Sequence, residues 1–159
     1  MIEIPPLGDR FWLALVVSGI LNTLAWLMYI KAINSSDLSL TVPLITFTPL
    51  FLLVTSPVMV GEYPTSIQAF GILLIVIGSH TLNLRQRHQG VFAPFRALLE
   101  QTGPKLMLGV AFIWSFTANI DKIGVQNSSP TLWSIALFSA VTVGLPSCEV
   151  ESQRALAVG

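Results

Sequence analysis

The sequence predicts an all-α integral membrane protein, a bundle of about five transmembrane helices. Hydrophobic residues make up 53% of the chain and charged residues only 10%, whereas soluble domains usually carry about 25% charged residues. The mean hydropathy is +0.74. Two apolar runs, residues 38–60 and 66–84, contain no acid, lysine or arginine. Each is about as long as the roughly 20 residues that a helix needs to cross a bilayer.

The first predicted helix covers residues 11–33. One of its faces carries small and polar side chains at helical spacing: Ser18, Asn22, Ala25 and Tyr29. In lipid we expect this face to turn toward protein or toward a water-filled cavity. Ordinary hydrogen bonding between helices is the alternative explanation for the same polar residues.

The second predicted helix, residues 38–60, contains Pro43, Pro49 and Pro57. Each proline removes a backbone donor and crowds the preceding turn, so we expect the helix to be kinked or locally unwound at these positions. Broken helices line the substrate path in many transporters. A kink that serves packing alone is the alternative, because proline is frequent in membrane helices generally.

The third predicted helix covers residues 66–84 and follows a short polar turn at residues 61–65. So short a connection reverses the chain, which predicts an antiparallel helical hairpin with the preceding helix. Gly71 and Gly78 share a face, and we expect a neighbouring backbone to approach them closely. Glu62 is most simply an interfacial charge, and binding of a cation or a proton is the alternative.

A polar linker at residues 85–105 separates a three-helix membrane part, residues 1–84, from a two-helix membrane part, residues 106–146. Glycine and proline residues interrupt this linker. Between them, residues 95–101 are expected to form a short helix at the membrane interface.

The fourth predicted helix covers residues 106–125 and bears a polar stripe at helical spacing. The stripe consists of Ser115, Asn119, Lys122 and Gln126, and Trp114 lies on the same helix. Asp121 is next to Lys122 in sequence, but adjacent helical residues do not face each other, so the two need not pair. Ordinary interfacial charge near a helix end is the alternative.

The fifth predicted helix covers residues 130–146, and a tail at residues 147–159 shows no clear periodicity. Ser129 is a good N-cap and Pro130 suits the first helical position. Pro146 is expected to end the helix.

Charge and motif content exclude several classes of function. Basic and acidic residues are equal in number, at 8 each, so no basic face predicts a nucleic-acid partner. His80, His88 and Cys148 do not have the spacing of a metal site or of a nucleophile with its base. The sequence therefore predicts neither an enzyme nor a cofactor.

Several local patterns, taken in order along the chain, resemble the EamA-type members of the drug/metabolite transporter superfamily. They are residues 29–32 (YIKA), 43–44 (PL), 49–51 (PLF), 61–62 (GE), 71–78 (GILLIVIG), 114–115 (WS) and 121–124 (DKIG). The resemblance implies two inverted five-helix repeats in a full-length member. The first three helices here look like the third to fifth of that fold, and the last two like the sixth and seventh.

The resemblance also implies a transporter that moves a small metabolite or drug-like solute by alternating access, in a prokaryotic plasma (inner) membrane. Its expected partners are the lipid bilayer and the small-molecule substrate, and either a second copy in a homodimer or a complementary half. A truncated or partner-dependent membrane protein without transport activity of its own is the alternative. The candidate residues of the substrate path are Asn22, Tyr29, Trp114, Ser115, Asn119 and Lys122.

Overall fold

The structure, a computed structural model, describes residues 7–85 and 101–157. Within these ranges every regular element is helical, which confirms the predicted all-α fold class. The elements are α1 (Phe11–Ser35), α2 (Leu38–Thr41), a 3₁₀ segment (Val42–Phe47), α3 (Thr48–Met59), α4 (Ser66–Arg85), α5 (Thr102–Gln126) and α6 (Pro130–Ala157). Most of the linker, with the interfacial helix expected there, lies outside the described residues.

Three of the described helical segments are long and apolar enough to cross a membrane. They are Phe11–Ser35, Val42–Met59 and Thr102–Gln126. Two further apolar stretches, Ser66–Ile75 and Pro130–Leu145, are shorter. Large apolar side chains remain exposed along these helices, for example Val58 at 81% and Phe138 at 70%. Acyl chains can cover such surface without the cost that water imposes, so the chain is an integral membrane protein.

Helix α1 has 25 residues, which gives a length of about 37 Å, enough for the hydrocarbon core. Its small and polar face is the buried one. Ser18 and Ala25 are fully buried, Asn22 and Tyr29 are half-buried, and Val16 on another face is 58% exposed. The face that the spacing of the sequence singles out therefore turns inward.

The stretch predicted as one bent helix at residues 38–60 consists of α2, the 3₁₀ segment and α3. Pro43 lies in the first turn of the 3₁₀ segment and Pro49 in the first turn of α3, where a missing N–H breaks no helical hydrogen bond. Pro57 lies inside α3. Thr46 Oγ1 donates to the carbonyl oxygen of Pro43 at 2.6 Å. A side-chain hydroxyl therefore satisfies a backbone carbonyl group in the irregular region.

The chain reverses between α3 and α4 at Gly61, whose φ of 72° lies in the left-handed region that favours glycine. Thr65 and Gln68 then cap the start of α4 reciprocally. The backbone N–H of Thr65 donates to Gln68 Oε1 at 2.9 Å, and the N–H of Gln68 points to Thr65 Oγ1 at 3.4 Å. This is the geometry of a capping box, which fixes where the helix begins.

The expectation that a neighbouring backbone approaches Gly71 and Gly78 is wrong for the described residues. A Cβ atom added at either position would meet nothing within 4 Å. Helix α4 packs on α3 and on the 3₁₀ segment, and Gly71 borders an open cleft instead of a neighbouring helix.

Helix α5 begins at Thr102, four residues before the predicted start at residue 106. Pro104 causes no break, because the first turn of a helix has no internal partner for its N–H groups. The N–H of Gly103 donates to Ser36 Oγ at 3.1 Å. A Cβ at Gly103 would lie 2.7 Å from the carbonyl oxygen of Ala32, so only glycine permits this close approach to α1.

Helix α6 begins as predicted at Pro130, with Ser129 Oγ accepting the N–H of Leu132 at 3.3 Å. It does not end at Pro146 but continues to Ala157. A proline inside a helix removes a single hydrogen bond, and the neighbouring turns on both sides can still hold the helix together. The predicted irregular tail is therefore helical as far as Ala157.

The helices contribute to two compact units. Unit 1 consists of Met1–Trp26 and Thr117–Gly159, and unit 2 of Leu27–Phe116. Helices α1 and α5 each supply residues to both units.

Candidate functional site

A hydrogen-bonded group of Ser18, Asn22 and Asp121, called here the Ser18 cluster, lies inside unit 1. Ser18 Oγ donates to the carboxylate oxygen Oδ1 of Asp121. Asn22 Nδ2 donates to the carbonyl oxygen of Ser18 at 3.0 Å and points to Ser18 Oγ at 3.1 Å. The cluster thus joins a hydroxyl, an amide and a carboxylate from two apolar helices.

The sequence positions this cluster through ordinary helical spacing. Ser18 and Asn22 are one turn apart on the small face of α1, and Asp121 lies in the last part of α5. An ionisable group within an apolar helix is costly to hold, so such groups are paired and usually functional. For Asp121 the partner is the hydroxyl of Ser18, which is fully buried.

Trp133 on α6 packs beside the cluster. Its ring is buried and meets Phe11 edge to face, with centroids 5.7 Å apart and planes at 85°. The indole N–H meets no acceptor in hydrogen-bond geometry among the described residues, yet it lies within electrostatic reach of the Asp121 carboxylate. A small shift would give that carboxylate a second donor in a dry environment.

Unit 2 brings two of the predicted site residues together, Tyr29 on α1 and Trp114 on α5. Their ring centroids are 6.1 Å apart and their planes 29° apart. Both side chains are half-buried. Two stacked, half-buried rings offer an apolar surface bordered by a phenol hydroxyl, which suits a flat organic solute.

Ser115 is buried next to this pair, and its hydroxyl donates to the carbonyl oxygen of Phe112 at 2.7 Å. Its own carbonyl oxygen lies 3.4 Å from Thr55 Oγ1, which donates to it from α3. Ser115 therefore helps to link the helix that contains Pro57 to α5.

The Tyr29–Trp114 contact can be measured as a coupling energy. Replacing each residue with leucine, singly and together, should reveal a coupling of about 0.5–1.5 kcal/mol, which is typical of aromatic pairs. Reversible unfolding of the purified chain in mixed detergent micelles gives the four stabilities. Strictly additive single and double replacements would contradict the stack.

Asn119 and Lys122, the remaining predicted site residues, lie on α5 within unit 1. Asn119 is buried, with 3% of its surface exposed, and Lys122 is half-buried. The sequence identified Asn22 correctly as a polar residue of the inward face but passed over Asp121 and Trp133. The available signal for Asp121 was an acid inside an otherwise apolar helix, whereas a single tryptophan carries no such signal.

Metal binding has no support in the part of the chain at 7–85 and 101–157, where no three His, Cys, Asp or Glu side chains come together in a suitable arrangement.

The profile of the EamA-like transporter family matches residues 1–84, which include α1 to α3 and nearly all of α4. Comparisons with curated proteins and with solved structures give no match.

Proposed function

The chain belongs to the EamA-like transporter family, and from this premise we propose that it moves a small metabolite or drug-like solute across a membrane by alternating access. The proposed location is a prokaryotic plasma (inner) membrane. The solute crosses the membrane chemically unchanged.

The observation that carries the proposal is the hydrogen bond from Ser18 to Asp121 between two candidate membrane-spanning helices. A carboxylate at such a position has a high cost in lipid, and its usual roles are to bind a polar solute or to carry a coupling ion or proton. Asn22 holds Ser18 from the same face. We assign the polar contact with the solute or ion to the Ser18 cluster, with Asn119 and Lys122 as further polar groups of unit 1.

The Tyr29–Trp114 pair, with Ser115 beside it, is assigned the apolar contact with the solute. Stacked aromatic rings favour planar, partly apolar molecules, which are typical drug-like solutes. A solute with both a flat apolar part and a hydrogen-bonding group is therefore the class that we would test first.

Reconstitution of the full chain into liposomes tests the proposal. Uptake of a panel of planar metabolites and drugs is measured with an inward proton gradient, a sodium gradient and no gradient. At least one solute should enter faster than in protein-free liposomes and should compete with its unlabelled form. Uptake no faster than in protein-free liposomes for every solute under every gradient would refute transport by this chain.

Replacing Asn119 with leucine should lower uptake of the transported solute about fivefold to hundredfold. The estimate takes the loss of one buried amide contact as about 1–3 kcal/mol. Leucine is similar in size, so the protein should still enter the membrane. Asn34→Leu is the control, because Asn34 is exposed near the end of α1. Unchanged uptake by the Asn119 variant would remove Asn119 from the substrate path.

The alternative function is that of a subunit that transports only after another chain completes the bundle. It is favoured by the large apolar area left exposed on α3, where Val54 and Val58 are 68% and 81% exposed. Lipid can also cover this area. Crosslinking of two differently tagged copies in the membrane separates the two cases, because a self-sufficient carrier retains activity at protein-to-lipid ratios where no crosslinked pair forms.

A further inference from the structure

A cleft of about 450 Å³ opens between α3, the turn at residues 61–65 and α4 within unit 2. One wall is apolar, formed by leucine side chains of α3 and isoleucine side chains of α4. The polar groups are concentrated at the turn, where Glu62 and Tyr63 lie, with Gln68 in the first turn of α4. The volume falls in the range of small-molecule sites, about 300–1,000 Å³.

We propose that this cleft binds a membrane phospholipid whose headgroup ends in a primary ammonium, such as phosphatidylethanolamine. The ammonium would contact Glu62, and the first part of one acyl chain would lie along the apolar wall. The site is separate from the residues assigned to transport and does not depend on that assignment.

Charge complementarity supports a cationic headgroup. The described lining of the cleft includes the Glu62 carboxylate and contains no lysine, arginine or histidine. A primary ammonium has three N–H donors, which suit a carboxylate and the side-chain oxygens of Ser56 and Gln68. A phosphate-terminated or glycerol headgroup carries no cationic group to offer the carboxylate.

The position along the helices supports a lipid and not a water-soluble amine. Glu62 follows directly on α3, at the point where the apolar stretch of residues 38–60 ends, and headgroups lie at this level of a bilayer. The apolar wall runs from there along Leu52 and Ile75, toward the hydrocarbon. The same helices expose Val58 and Ile67 at 81% and 82%, so the cleft opens on surface of the kind that lipid covers.

Glycine at position 71 keeps the cleft open. Gly71 lines the cleft, and a Cβ atom added there would meet nothing within 4 Å. Gly61 and the Thr65–Gln68 capping box fix the turn at the mouth. The cleft is therefore built into the backbone and does not have to form when the lipid arrives.

The full chain in nanodiscs is the material for the test. The discs contain equal amounts of phosphatidylethanolamine, phosphatidylcholine and phosphatidylglycerol, and lipids retained after gentle detergent extraction are counted by native mass spectrometry. We expect phosphatidylethanolamine to be retained about tenfold over each of the other two, a ratio that corresponds to about 1.4 kcal/mol.

Two matched pairs of variants test separately the charge of Glu62 and the free volume of the cleft beside Gly71. Glu62→Gln should remove the preference, whereas Asp37→Asn, at an exposed acid of another turn outside the cleft, should keep it. Gly71→Leu should remove retention by filling the cleft. Gly78→Leu adds the same side chain on the same helix, where a Cβ also meets nothing within 4 Å, and should keep retention.

Three results of the lipid-retention measurement would overturn the proposal. They are equal retention of the three lipids by the unmodified chain, retention unchanged in both Glu62→Gln and Gly71→Leu, and a dimer seated through this cleft that retains none of the lipids. Gly71→Leu also serves if Glu62→Gln fails to fold, because a Cβ atom added at Gly71 meets nothing within 4 Å. A free amine such as ethanolamine that competes as well as the lipid would show that the acyl chain plays no part, which would also refute lipid binding.

Discussion

Replacing Asp121 with asparagine should lower solute uptake about tenfold to hundredfold while leaving the amount of folded protein in the membrane unchanged. Asparagine has the shape of aspartate and can still accept the hydrogen bond from Ser18, so packing is preserved. The charge is lost, and a hydrogen bond to a charged group contributes about 1.5–3 kcal/mol. Uptake is measured in liposomes with the solute that the unmodified chain transports fastest.

The control for this variant is Asp37→Asn, which removes an exposed acid from the turn before α2 and should leave uptake unchanged. Uptake by Ser18→Ala should lie between the uptake of Asp121→Asn and that of Asp37→Asn, because this variant keeps the charge of the carboxylate but removes its hydrogen-bond donor. If Asp121→Asn transports as well as the unmodified chain, the carboxylate serves only to hold α1 against α5, and the assignment of the Ser18 cluster to transport is wrong.

Replacing Gly124 with alanine should destabilise the chain by about 1–3 kcal/mol, the usual cost of overpacking a filled interior. A Cβ at this position would overlap ring atoms of Trp133. The ring has little room to yield, because it is buried and also packs edge to face against Phe11. The expected result is a lower midpoint of thermal unfolding in detergent.

Gly71→Ala is the matched control, since it changes the same residue type in a helix where the new Cβ meets nothing within 4 Å. It should raise or preserve stability, because alanine is favoured over glycine in a helix by about 1 kcal/mol. A Gly124→Ala variant that unfolds at or above the temperature of Gly71→Ala would show that Trp133 can move aside. Trp133→Leu, added to Gly124→Ala, should recover part of the loss by making room for the methyl group.

The inward face of α1 could be predicted from sequence because helical spacing alone puts Ser18, Asn22 and Ala25 on one side. The start of α6 was equally accessible, since Ser129 and Pro130 signal a helix start through local chemistry. In both cases the information lies within a few residues of the feature that it predicts.

The partner of Ser18 could not be predicted, because Ser18 and Asp121 are 103 residues apart. Spacing along α5 groups Ser115, Asn119 and Lys122, and it leaves Asp121 beside that stripe. Only the packing of α1, α5 and α6 in unit 1 shows that the acid meets the serine. The role of Gly124 was hidden for the same reason, since it depends on the ring of Trp133 from the next helix.

The rule that proline interrupts a helix predicts the structure correctly at Pro43 and Pro49 and wrongly at Pro146. Pro43 and Pro49 are close enough together to interrupt one helix twice, and the structure has a 3₁₀ segment, Val42–Phe47, that contains Pro43 and ends just before Pro49. Pro146 is isolated, and the rest of α6 on either side remains helical. A single missing hydrogen bond is outweighed by the intact turns around it, which a residue-by-residue rule does not take into account.

The 3₁₀ segment determines which way the side chains of α3, the next helix of the hairpin, point around the helix axis. Over its six residues, the tighter winding adds about 120° of rotation and about 3 Å of advance compared with an α-helix of the same length. In this rotational position of α3, the Thr55 hydroxyl donates to the carbonyl oxygen of Ser115. Rewinding the segment into an α-helix would rotate the Thr55 hydroxyl about a third of a turn away from Ser115. It would also shorten the segment, so that α3 would both rotate about its axis and move along it toward α2.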